Sequence, residues 1–98
     1  MKKAYRNLVA YALANNCTVS VWDGEEFQVK KCTSFKRIVE AIESVEEANL
    51  KIRYNGDEVV GFALVSAYGL APDETVIDFS DNDWMKGWEQ QYCSECLL

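Results

Sequence analysis

Histidine is absent from this chain. That removes the commonest general base, the Ser-His and Cys-His nucleophile pairs, and imidazole as a metal ligand. No Gly-rich phosphate loop is present either. Proline occurs once, at Pro72, and glycine five times in 98 residues. No apolar run approaches the roughly 18 residues a membrane-spanning helix needs, so none is expected. The first residues, MKKAYRNLVAYALANN, have the basic start of a leader peptide. Arg6, Asn7 and Tyr11 break their apolar part and no cleavage pattern follows, so they are read as an amphipathic helix of a cytoplasmic protein.

Positive charge is nearly missing from the second half. Residues 54–98 hold one cation, Lys86, against nine carboxylates, whereas residues 1–53 hold nine cations and seven carboxylates. An acidic half of net −8 argues against gripping a phosphate backbone there. It suits a basic protein partner, since complementary fields steer association. What is abundant is apolar surface: 49% of residues are hydrophobic, enough for the core of a single domain spanning residues 1–98.

Periodicity divides the chain. Residues 2–15 place Tyr5, Leu8, Val9, Ala12 and Leu13 on one helical face, and Asn15-Asn16 supply a stop. Residues 17–32 alternate as a β-hairpin. A three-residue loop, Trp22-Asp23-Gly24, sets Val19 opposite Phe27 and makes one face apolar, which leaves Trp22 at the turn. Residues 34–48 predict a second helix capped by Ser34 or Thr33, with Phe35, Ile38, Val39, Ile42 and Val45 as its stripe. Residues 50–67 predict a second hairpin through Asn55-Gly56, with Arg53 facing Glu58. Its second strand is apolar on both faces, as in a central or doubly covered strand, and Gly61 marks a bulge or a close neighbour. Pro72 starts a short helical turn, Ser80 caps the last helix, and Trp84, Met85, Trp88, Tyr92 and Cys96 form that helix's stripe. The predicted fold is α+β, in the order α-β-β-α-β-β-α, with two hairpins in a mostly antiparallel four-stranded sheet and helices packed on one face.

Four residues have a weak metal-ligand pattern. Cys17, Cys32, Cys93 and Cys96 could supply four thiolates to zinc, but there is no second closely spaced pair and no histidine, and the helix reading already explains Cys96 as a core residue. No metal and no cofactor are expected. Asp78, Asp81 and Asp83 cluster without a calcium-loop pattern, and Asp81 and Asp83 read as helix-start residues. With no catalytic or nucleotide-binding motif, the chain is not expected to be an enzyme. Trp22 and the acids Asp57, Glu58, Asp73, Glu74, Asp78, Asp81 and Asp83 are the candidates for contact with a partner.

The block GFALVSAYGLAPDETVIDFSDNDWM, preceded by VSVWDGEEFQVKKCTSFKRIVEAIESVEEANLKIR, resembles a group of small accessory proteins of tailed bacteriophages. The likeness covers about residues 17–88 and omits the tail YCSECLL. It carries no catalytic residue over to this chain. It implies a host bacterial cytoplasm and a protein that binds and inhibits or modulates a host protein, basic or DNA-binding, in a defence or DNA-processing complex. Direct nucleic-acid binding and membrane association are not expected. The alternatives are a DNA mimic that occupies a DNA-binding protein, and a structural or homodimeric accessory protein without an inhibitor role.

Overall fold

A computed structural model describes residues 3–68 and 71–97. Helix α1 spans Ala4–Ala14 and buries Tyr5, Leu8, Val9 and Ala12. It stops where predicted. The Asn15 amide bonds back to the Tyr11 and Ala12 carbonyls, and Asn16 turns the chain at φ 62°, a left-handed conformation that Asn tolerates. Strands β1 (Cys17–Trp22) and β2 (Phe27–Cys32) form the first hairpin, followed by α2 (Phe35–Glu43). The Ser34 side chain caps α2 by accepting the Arg37 amide at 3.4 Å. Strands β3 (Ala48–Tyr54) and β4 (Glu58–Val65) form the second hairpin, and a 3₁₀ turn follows at Pro72–Glu74 with the proline at its first position. Strand β5 (Val76–Phe79) and helix α3 (Asp83–Leu97) complete the chain.

The sheet has five strands in the order β2-β1-β3-β4-β5, every neighbouring pair antiparallel, so the expected four-stranded sheet needs correction. The additional strand is β5, four residues that periodicity alone cannot separate from a loop. It forms because β4 offers an unpaired edge: Val76, Asp78 and Phe79 pair with Val65, Leu64 and Ala63. The Ser66 amide extends this contact to the Thr75 carbonyl at 2.9 Å. β5 also displaces the predicted helix cap. The helix begins at Asp83, after Asn82 accepts the Lys86 amide. Ser80 instead donates its hydroxyl to Asn82 and accepts the Phe62 amide.

All three helices pack on one face of the sheet. Val19, Val21, Leu50, Ile52, Ala63 and Val65 point into it and meet Leu8 of α1, Ile38 and Ile42 of α2, and Met85 and Trp88 of α3, all buried. Helix α3 runs back along α1. Trp84 meets the Tyr11 ring edge-on at 5.2 Å, and the Trp88 indole N–H donates to the Asn7 side-chain oxygen at 2.9 Å. The stripe of α3 is as predicted for Met85, Trp88 and Tyr92, whereas the side chain of Cys96 lies outside the described residues. Phe35 leaves the predicted stripe of α2 and is exposed.

Both hairpin registers differ from expectation. The Asp23 carboxylate accepts the amides of Glu25 and Glu26 at 2.8 and 2.9 Å, and the Asp23 amide donates to the Glu26 carbonyl. This local wrap makes a four-residue loop of residues 23–26. Trp22 therefore ends β1 opposite Phe27, Val21 faces Val29, and Val19 faces Cys32. Phe27 turns outward and Val29 inward. In the second hairpin, Asn55 (φ 52°) and Gly56 (φ 78°) form the expected turn, closed by the Asp57 amide on the Tyr54 carbonyl. Arg53 nevertheless pairs with Val59, because Asp57 stays in the turn and Tyr54 pairs with Glu58, and Ile52 pairs with Gly61, because a bulge at Val60 takes up one further residue. Gly61 thus has both the bulge and the close neighbour its position implied: Met85 packs where a Cβ would stand.

Candidate functional site

Strand alternation leaves the other face of the sheet without a helix, and that face is unusually apolar. Trp22 is 41% exposed, Phe27 45% and Phe62 49%. Each follows from its register. Trp22 and Phe27 are cross-strand partners on the outer side, with ring centroids 6.4 Å apart, and Phe62 pairs with the outward Lys51. Between them lies a groove of about 390 Å³, lined by Ser20, Trp22, Phe27, Asn49, Lys51 and Phe62 with Leu50 at its floor. A second hollow of about 260 Å³ lies on the far side of Phe62, against Leu64 and Asp78. The same face carries cations. The Lys30 ammonium sits 5.0 Å from the Phe27 ring centre and that of Lys51 5.7 Å from the Phe62 ring centre. Arg53 stands two residues further along β3. Exposed aromatic rings thus stand beside cations on one face of the sheet.

The residues singled out from the sequence are dispersed by the fold. Trp22 joins the open face, although it stands at the strand end and not on the turn as expected. Asp57 and Glu58 lie at the β3–β4 turn, at one end of the sheet. Asp73 and Glu74 lie in the 3₁₀ turn at the other end, where Thr75 meets the start of α1 through the Tyr5 amide. Asp81 pairs with Lys86 at 3.1 Å beside the start of α3, and Asp83 is the first residue of that helix. Asp78 alone among these acids borders the groove region. The carboxylates therefore ring the molecule instead of gathering on one face. Sequence reasoning missed Phe27, Phe62 and Lys51. The signal for Phe62 was present in VVGFALV, a strand apolar on both faces: the central-strand reading of it holds, since β4 lies between β3 and β5, but its second face is not covered by a helix among the described residues.

The cysteines are likewise separated. Cys17 and Cys32 occupy the end of the sheet next to Tyr54, while Cys93 lies on α3 near Ala4 and Asp73, past the opposite end. Burial pushes the Cys17 thiol up from its ordinary value, which makes it a poor nucleophile and a poor ligand. Among the described residues no group of three or more Cys, Asp or Glu is placed to hold a metal ion. Among them, too, no helix is long and apolar enough to cross a membrane.

One half-buried polar node sits away from the open face. The Tyr5 hydroxyl donates a short hydrogen bond to the Glu43 carboxylate, which Arg6 also reaches at 3.0 Å. The Tyr68 hydroxyl donates to the Glu43 backbone carbonyl at 2.6 Å. Glu43 thus joins α1, the end of α2 and the exit of β4. The Tyr5 hydrogen bond, with help from Arg6, holds its carboxyl below the usual carboxylate range. A group whose pKa is lower folded than unfolded stabilises the fold above its unfolded value, and that contribution is lost as pH falls through the folded value. Glu43→Gln is therefore expected to be less stable than wild type at neutral pH, with the gap closing below about pH 4. Urea unfolding of both proteins from pH 7 to pH 3 measures this. Two curves a constant distance apart would contradict it.

No family model, curated protein or solved structure matches this chain.

Proposed function

We propose that the chain is a non-enzymatic binding protein that engages a partner protein through the open face of its sheet and modulates it. The observation carrying this reading is the exposure of Trp22, Phe27 and Phe62 together on one uncovered face. Monomers rarely leave a contiguous aromatic patch in water without using it, and tryptophan, rich in hot-spot energy, anchors many interfaces. In the setting implied by the resemblance to phage proteins, the partner is a host protein of a defence or DNA-processing complex. The chain's acidic rim then serves long-range steering, while the open face supplies the contact.

Affinity capture from bacterial lysate with mass spectrometry tests this, run in parallel with Trp22→Ala and Phe62→Ala. Both side chains are exposed, so both variants are expected to fold as wild type does. A specific protein retained by wild type and depleted at least about tenfold by each variant is the expected result. Capture untouched by either substitution would move the interface elsewhere, and turnover of a small substrate would replace the binding reading altogether.

A further inference from the structure

The open face is electrostatically unlike the rest of the molecule. The chain carries a net −6, yet three cations, Lys30, Lys51 and Arg53, share this face with one carboxylate, Asp78. Neither Lys51 nor Arg53 has a carboxylate partner among the described residues, whose ion pairs are Arg6–Glu43 and Lys86–Asp81. Arg53 donates one guanidinium N–H to the Asp57 backbone carbonyl at 3.3 Å, which leaves its charge without a carboxylate. The face therefore carries an excess of positive charge, and a partner that supplies negative charge is complementary to it.

The spacing narrows what supplies it. Lys51 and Arg53 are alternate residues of β3, so they project from the sheet about 6.6–7 Å apart. Alternate residues of any extended peptide have the same spacing. The cations are interleaved with aromatic rings and do not form a continuous track. Carboxylates also bound the face, with Glu25 and Glu26 at the first turn and Asp57 and Glu58 at the second. A polyanionic nucleic-acid strand crossing the face meets those carboxylates on the way in and out. A peptide places its charges only where the cations are.

Resting on the binding reading above, we infer that the open face takes an extended acidic segment of the partner protein. One large apolar side chain of that segment fills the groove between Trp22 and Phe62, and two carboxylates at alternate positions reach Lys51 and Arg53. The surface that meets the partner therefore selects an acidic sequence, the opposite of the basic partner that the chain's net charge suggests.

The test uses a short fluorescein-labelled peptide with the core Trp-Thr-Asp-Thr-Glu, a second peptide with lysine in place of both acids, and a labelled oligothymidine. Fluorescence anisotropy is expected to show the acidic peptide binding wild type at least about tenfold more tightly than the lysine peptide. Phe62→Ala is expected to weaken the acidic peptide about tenfold. The double variant Lys51→Glu/Arg53→Glu is expected to invert the preference and bind the lysine peptide, with unchanged circular dichroism. This inversion is a readout that loss of folding cannot produce. Equal binding of the two peptides overturns the inference, as does no binding of either at about 1 mM, or an oligothymidine that binds more tightly than the acidic peptide. Should the captured partner depend on Phe62 but contact it through a basic segment, this inference falls and the binding function stands.

Discussion

Trp88→Ala is expected to remove about 3–5 kcal/mol of stability, a large part of the roughly 5–15 kcal/mol a domain of this size possesses. Trp88 is 3% exposed and lies where α3, α1 and β5 converge. Its ring stacks on Tyr92 at 5.8 Å and takes the edge of Phe79 at 5.6 Å, while its N–H is held by Asn7. Alanine leaves a cavity the size of an indole and strips all three contacts at once. Trp88→Phe separates the terms. It keeps a ring between Phe79 and Tyr92 but deletes the donor to Asn7, and it should cost about 1–3 kcal/mol. Urea unfolding monitored by circular dichroism measures both. If alanine costs no more than phenylalanine, the packing account of this residue is wrong.

A second large effect is expected at Gly61. A Cβ there would lie 2.5 Å from the Met85 sulfur and 2.8 Å from its Cγ. Methionine is flexible, but Met85 is fully buried among the core side chains. Gly61→Ala should therefore destabilise by about 1–3 kcal/mol through overpacking. Met85→Ala alone should cost about 2–5 kcal/mol through the void it leaves. The two substitutions touch the same space, so they should not add. The double variant is expected to be more stable than the sum predicts by about 0.5–3 kcal/mol. Additive free energies from a double-mutant cycle would show that Gly61 is required by the bulge at Val60 and not by Met85.

Features set by neighbouring residues were legible in the sequence. The stop at Asn15-Asn16, the Ser34 cap, the Asn55-Gly56 turn and the Pro72 turn each depend on side-chain and backbone chemistry within a few positions. Features set by pairing at a distance were not. β5 is too short to carry a period and exists because β4 had a free edge. In the first hairpin, periodicity favoured the register that buries Phe27, and the Asp23 carboxylate, by gathering two amides, imposed another. That shift turned Phe27 outward beside Trp22 and created half of the open face. The other half was hidden for a related reason. A strand apolar on both sides reads the same whether its second face meets a helix or water, and only the topology, with three helices on one side, decides which.

The two outer strands have a consequence of their own. β2 is interrupted by register shifts and carries Lys31 at φ 45°, with its amide turned to the Ser20 hydroxyl at 2.9 Å. β5 is four residues long and includes Asp78. Neither offers the long, flat rim of amides and carbonyls on which another chain could add itself strand by strand. A chain that keeps Trp22, Phe27 and Phe62 in water would otherwise be a seed for fibre growth. Blunted borders make it a poor template for polymerisation even with those rings in water, so on the proposed reading a partner lies across the sheet and does not lengthen it.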